Sequence, residues 1–143
     1  HYPVAPGAMP TIEVEDVATG LKRSTLALID ARDVKRFAGL SEPIDTRAGH
    51  IPGALNRPFK ANLNDNGHFL TPAALRTEFN ALLKGQEAAQ LACMCGSGVT
   101  ACHNVLAMEL AGVTADSDAV AALYVGSWSE WISSTNRPCD PAD

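Results

Sequence analysis

Apolar positions along the chain follow two periods, and they alternate. Leu26-Ala27-Leu28-Ile29 is an unbroken apolar run that stops at Asp30, the pattern of a strand buried on both faces. Gln90 to Met94 predicts a second strand of this kind and Val120 to Val125 a last one, with Ala54-Leu55-Asn56 as a short candidate before Pro58. Between them the spacing is helical. Ile12, Val14, Val17 and Leu21 share a face, with Glu13, Glu15 and Asp16 early, where a helix N-terminus favours acids; Gly20 is expected to end or weaken that helix. Val34 to Phe37 fits one helical turn, Gly39 to Gly53 is turn-rich, and residues 61–70 read as a polar loop. Thr71-Pro72 predicts a helix start, with Thr as N-cap and Pro at the first position. Leu75, Phe79, Leu82 and Leu83 supply that helix's apolar face and Gly85 its stop. Ala101 to Ala111 is a further helix, carrying Val105, Leu106, Met108 and Leu110 and closed by Gly112. Ser127 followed by Glu130 predicts a capping box that opens a short helix around Trp128 and Trp131. Strands alternating with helices predict an α/β fold with a mainly parallel central sheet flanked by helices.

Composition narrows the function. The chain of 143 residues suits one domain, and 46% hydrophobic residues are enough for a core without disulfides. Residues 1–10, with three prolines and a glycine, read as a linker or N-terminal tail, and 11–143 as the domain. Without an initiator Met the chain reads as a fragment or processed form. A net charge of −5 argues against a nucleic-acid partner, and no apolar run approaches the ~20 residues that span a bilayer. Four cysteines in a well-cored chain of this size do not suggest a disulfide framework. A reducing compartment, the cytoplasm, is expected.

The candidate chemistry lies in residues 93–102, C-M-C-G-S-G-V-T-A-C. Cys93, Cys95, Cys102 and His103 are possible metal ligands by type. Structural zinc wants two pairs of cysteines two to four apart, and there is one near-pair and no second, so no metal is expected. A different use follows from strand, tight loop and helix in succession. Gly96 and Gly98 permit backbone angles that turn several N–H groups inward, a nest for negative charge at a helix N-terminus. A cysteine sulfur held there is stabilised as an anion, and Ser97 and Thr100 can add hydroxyl donors without bulk. A buried cysteine before an ordinary turn is the plainer alternative. Phosphatases of the C-x5-R kind place arginine six residues after the nucleophile, where this chain has Ala101. The uncharged ring suits a sulfane sulfur better than a tetrahedral oxyanion.

The chain resembles a rhodanese domain, and looks most like the C-terminal, catalytic half of a tandem-domain sulfurtransferase. The likeness rests on Leu28-Ile29-Asp30-Ala31-Arg32, Arg36-Phe37-Ala38-Gly39, Gly49-His50-Ile51-Pro52-Gly53-Ala54-Leu55-Asn56, the loop Cys95 to Thr100, and Tyr124-Val125-Gly126-Ser127-Trp128-Ser129-Glu130-Trp131. The loop C-G-S-G-V-T is similar to that of 3-mercaptopyruvate sulfurtransferases. The resemblance implies sulfur transfer from a small donor, 3-mercaptopyruvate favoured, through a persulfide on Cys95, with no cofactor. A thiol or reduced thioredoxin would accept the sulfur. Backbone amides of Gly96, Ser97, Gly98, Val99 and Thr100 would cradle the persulfide, and Ser97 would help move a proton. Arg36 matches one arginine that binds the donor carboxylate. The second of that family falls near Asp45 here, with Arg47 as the nearest replacement. A preceding rhodanese domain is also implied. Thiosulfate:cyanide sulfur transfer and a non-catalytic rhodanese binding module are the alternatives. Asp30, Arg32 and His50 are expected to shape the fold, Trp128 and Trp131 to pack, and Cys93, Cys102 and Cys139 to be passive.

Overall fold

A computed structural model describes residues 9–84, 90–113 and 119–141. Four strands, β1 (Leu26–Asp30), β2 (Leu55–Asn56), β3 (Gln90–Met94) and β4 (Ala122–Leu123), form one sheet in the order β2-β1-β3-β4. Every pairing is parallel, with Leu28 opposite Ala92, Ile29 opposite Leu55 and Cys93 opposite Leu123. The helices are α1 (Val14–Lys22), α2 (Val34–Phe37), α3 (Pro72–Leu82), α4 (Ala101–Ala111) and α5 (Ser127–Trp131), with a 3-10 helix over Phe59–Asn62.

The continuous apolar runs are explained by two cores. Ala27, Ile29, Leu91 and Cys93 face α3 and α4, meeting Leu75, Phe79, Val105 and Met108. Leu26, Leu28, Ala92 and Met94 face the other way, onto Val14 and Val17 of α1 and Trp128 and Trp131 of α5. Successive strand residues alternate faces, so a strand with helices on both sides must be apolar throughout. Parallel pairing brings the ends of β1 and β3 to one edge of the sheet. That edge is where open α/β sheets place their ligands, because the loops there leave the strands in opposite directions.

The Thr71 hydroxyl caps α3 by accepting from the Ala74 N–H at 3.3 Å, and Gly112 closes α4 with φ +64°. Several expectations need correction. Gly20 does not end α1: it is buried inside it, and a Cβ there would sit 2.7 Å from the Leu26 Cβ. The helix approaches β1 too closely for a side chain, and packing outweighs the ~1 kcal/mol helix penalty of glycine. In α4 the buried residues include Val105, Met108 and three alanines, while Leu106 and Leu110 are exposed. The last strand is confined to Ala122–Leu123. Residues 61–70 are more ordered than a loop, since the 3-10 helix leads into a bridge between Leu63 and Phe69. Ser127 forms no capping box; it sits inside α5 at φ +53°. Most of the expected tail, and Gly85, lie outside the described residues. Residues 10–12 attach to the sheet: the Leu123 N–H donates to the Pro10 carbonyl and the Ile12 N–H to the Leu123 carbonyl.

Candidate active site

Cys95 directly follows β3 and is 2% exposed. The chain must then turn from the sheet into α4 within five residues. Gly98 makes that possible: its φ is +81°, and a Cβ on it would stand 2.7 Å from the Val125 carbonyl oxygen. A residue with a side chain would face both left-handed strain and a backbone collision. The backbone N–H groups of Gly96, Ser97, Gly98, Val99 and Thr100 have no acceptor among the described residues. Gly98 is buried whereas Ser97 and Val99 are exposed, so these five donors are left to a ligand or to water.

The loop is held from behind by α5. The Cys95 N–H donates to Ser127 Oγ at 3.1 Å, and Ser127 Oγ donates to the Tyr124 carbonyl at 2.8 Å. The Trp128 N–H donates to the Cys95 carbonyl and the Ser129 N–H to the Gly96 carbonyl, each at 3.1 Å. Trp128 is fully buried, under the Arg32 guanidinium, and its indole N–H donates to the Arg47 carbonyl at 3.0 Å. The start of α4 is fixed separately. Asn104 is fully buried, accepts from Asn62 at 2.6 Å and donates to the Arg57 carbonyl. Arg57 Nε closes the ring by donating to Asn62 Oδ1 at 3.1 Å.

A cavity of about 210 Å³ opens at the loop, lined by Cys95, Gly96, Ser97, Val99 and Thr100, and across from them by Arg36, Ile44, Asp45 and Ser129. Arg36 stands beside the loop: a Cβ on Gly96 would lie 3.6–3.7 Å from its two terminal nitrogens. Its charge is engaged. Nη2 and Nε donate to the two oxygens of Glu42 at 2.7 and 3.2 Å, and Nη2 lies 3.5 Å from Asp45 Oδ2. Burial opposes ionisation of Glu42, but hydrogen bonds from Arg36 and from the Asp45 and Ile44 N–H groups outweigh it and hold the carboxyl below its ordinary range. Ser129 Oγ donates to Asp45 Oδ1 at 2.8 Å and approaches the Gly96 carbonyl at 3.0 Å, so Asp45 is tied to the loop.

Of the expected site residues, the structure thus gathers Cys95, Gly96, Ser97, Val99, Thr100 and Arg36 around one cavity, with Gly98 shaping the turn behind it. Arg47 does not line the cavity; its guanidinium donates to the Arg137 carbonyl at 3.3 Å. Sequence reasoning missed Glu42, Ser127 and Ser129. Ser129 lies in the tryptophan-bearing motif near the C-terminus, but no spacing rule ties it to a loop thirty residues earlier.

The other candidates have other places. Asp30 and Arg32 form a buried pair with four contacts of 2.8–3.2 Å, and Arg32 Nη2 also donates to the Gly49 carbonyl at 2.7 Å. His50 stacks on Phe37 and its Nδ1 meets the Phe37 carbonyl at 2.8 Å. Cys93 lies on the same core face as Cys95, fully buried with its thiol against the Met108 sulfur, and burial pushes its pKa up to about 12. His103 sits between the rings of Phe59 and Phe69. Among the described residues no group of three or more His, Cys, Asp or Glu could hold a metal ion. No helix there is long and apolar enough to cross a membrane. A larger cavity of about 670 Å³, near Ile12, Asp16, Arg23 and Gln90, contains none of the expected residues.

Comparison with known proteins agrees with this geometry. The chain is 46% identical over 138 residues to a Pseudomonas aeruginosa protein named "Probable 3-mercaptopyruvate sulfurtransferase", covering 96% of this chain and 47% of that one. It is 40% identical to the mouse 3-mercaptopyruvate sulfurtransferase, covering 82% of this chain and 38% of the mouse protein. The chain therefore spans about half the length, or less, of these relatives. Among solved structures, the Saccharomyces cerevisiae Tum1 protein superposes with a TM-score of 0.74 at 27% identity, over 94% of this chain and 47% of Tum1. The model of the rhodanese-like domain matches residues 13–134, from the start of α1 to just beyond α5, and the chain belongs to that family.

Proposed function

We propose that this chain carries the catalytic half of a sulfurtransferase, with Cys95 as the sulfur carrier and 3-mercaptopyruvate as the favoured donor. One observation carries the reading: five consecutive amide donors with no acceptor among the described residues lie in the loop that follows a buried cysteine and walls its cavity. A persulfide anion on Cys95 is a ligand of the right charge and size for such a ring. The relatives named for this activity support it.

The Cys95 thiolate attacks the donor sulfur. A Cys95–sulfur bond forms, the donor's carbon–sulfur bond breaks, and its electron pair leaves as the enolate of pyruvate, which takes a proton. Ser97, exposed at the cavity wall, would relay that proton. Arg36 lines the cavity beside Gly96 and would receive the donor carboxylate. Arg47 would act at longer range, through the loop that carries Asp45. An acceptor thiol, from a small molecule or a reduced thioredoxin, then removes the sulfur. Cys93, Cys95 and Cys102 are unbridged thiols, which suits a reducing compartment such as the cytoplasm. The relatives' greater length suits a preceding rhodanese domain, with residues 11–143 here forming one domain and 1–10 the linker.

The test is mass spectrometry after exposure to 3-mercaptopyruvate, alongside steady-state kinetics with that donor and thiosulfate. One added sulfur on Cys95 is expected, absent in Cys95→Ser and retained in Cys102→Ser. Arg36→Lys is expected to raise KM for mercaptopyruvate about tenfold by losing the planar fork. Sulfur on another cysteine, or a higher kcat/KM for thiosulfate, would refute the assignment of nucleophile or of donor respectively.

A further inference from the structure

The charges around the cavity do not balance. Arg32 is matched by Asp30, and Arg36 by Glu42, whose two oxygens also accept from Arg32, Ile44 and Asp45. Glu42 is 4% exposed and fully occupied by these partners. Asp45 is the surplus carboxylate. Its one ionic contact among the described residues is the long 3.5 Å approach to Arg36, and its other oxygen is anchored by Ser129. It lines the same cavity as Cys95, facing a loop that offers only neutral donors.

A cavity wall with a cation and an extra anion side by side is poor for a ligand that carries only negative charge. It suits one that carries both signs one carbon apart, as an α-amino acid does. Its carboxylate can lie against Arg36 while its ammonium meets Asp45. This inference rests on the sulfur-transfer reading above. We propose that Asp45 is a specificity-determining residue: with Arg36 it forms a bipolar subsite that selects, as sulfur acceptor, thiols bearing an ammonium beside their carboxylate. In the transfer, the acceptor thiolate attacks the outer sulfur of the Cys95 persulfide. A sulfur–sulfur bond to the acceptor forms, the Cys95–sulfur bond breaks, and Cys95 regains its thiolate. One thiolate is consumed and one is returned, so no oxidant or reductant is needed.

The same surplus charge opposes anionic donors. Asp45→Asn keeps the shape and an oxygen for the Ser129 hydroxyl, and it removes the charge. It is expected to lower KM for 3-mercaptopyruvate.

The decisive experiment uses the protein at its full natural length, with Cys95 preloaded and the added sulfur verified by mass. Single-turnover transfer is followed to L-cysteine and to 3-mercaptopropionate, which keeps the thiol and carboxylate and lacks the ammonium. The ratio of the two second-order rate constants is compared between wild type and Asp45→Asn, so that the intrinsic reactivity of the two thiols cancels. The ratio should fall about five- to tenfold in the variant. A merely structural Asp45 would slow both acceptors alike, and an unchanged ratio overturns the proposal. Wild type alone provides a second reading that depends on no variant: the rate ratio of L-cysteine to 3-mercaptopropionate, divided by the same ratio towards a small-molecule persulfide, must exceed one, and a quotient of one overturns the subsite as well. Failure of Cys95 to load is seen before any acceptor is added. It would refute the sulfur-transfer reading, and the subsite with it.

Discussion

Cys93 and Cys95 are two residues apart on one strand face, yet only one adjoins a cavity. Cys93 is enclosed by Met108 and the α4 core, where its thiol stays protonated because burial disfavours the anion. Cys95 is placed one residue past β3, where the sheet ends and amide donors begin. The residue that keeps those donors in place is Gly98. Gly98→Ala introduces a Cβ at φ +81° against the Val125 carbonyl. It should cost about 1–3 kcal/mol of stability, since a non-glycine residue there is strained and must also push Val125 away. Misplacing the amides should slow persulfide formation by on the order of tenfold to a hundredfold. Urea denaturation and timed mass measurement of Cys95 read the two effects, and wild-type loading in Gly98→Ala would show that the turn does not shape the site.

At the scale of elements, the site is a joint between β3, α4 and α5. The strand delivers Cys95, the Asn62–Asn104–Arg57 ring sets the start of α4, and α5 supports the loop through Ser127, Trp128 and Ser129. Ser127 is the support most open to test, because it is fully buried and, among the described residues, it accepts the Cys95 N–H. Ser127→Ala leaves that amide buried without a partner, a loss of about 1–3 kcal/mol. A lower urea midpoint with an unchanged slope is the expected result. Loading of Cys95 should slow in parallel, since the loop loses its anchor. An unchanged midpoint would mean that water or a shifted backbone replaces the hydroxyl at no cost.

Across the whole molecule, the Arg32–Glu42–Arg36 bridge ties the end of β1 and α2 to the turn-rich segment that carries Asp45. Glu42 titrates below its ordinary 4.5 in the folded protein, so it binds its proton less readily there than in the unfolded chain. Its stabilisation is therefore complete above pH 4.5 and is lost as the pH falls below that value through the folded pKa. Glu42→Gln should be less stable than wild type by about 1.5–3 kcal/mol at neutral pH. The gap should close on acidification below 4.5. Denaturation curves at stepped pH check this, and a gap independent of pH would show that the carboxylate's charge contributes nothing.

Local pattern by itself determined the four strands, the helices from Pro72 and from Ala101, and the loop that follows β3. Apolar runs, a Thr-Pro start and a Gly112 stop act within a few residues, so they are readable without a fold. The loop's composition and its likeness to the rhodanese family also singled out Cys95, its five following amides and Arg36 as candidates. Tertiary structure decided what depends on distant partners. Gly20 reads as a helix breaker until β1 is seen pressed against it, and Ser127 reads as a cap until the Cys95 N–H is found on its hydroxyl. Arg47 was near enough in sequence to serve the cavity, but its guanidinium is bonded to Arg137, ninety residues away. Arg36 could be chosen by its motif; that Glu42 already matches its charge, leaving Asp45 in excess beside Cys95, could not. Charge balance is a sum over neighbours in space, and residues 36, 42, 45, 95 and 129 become neighbours only when parallel pairing brings their strand ends to one edge of the sheet.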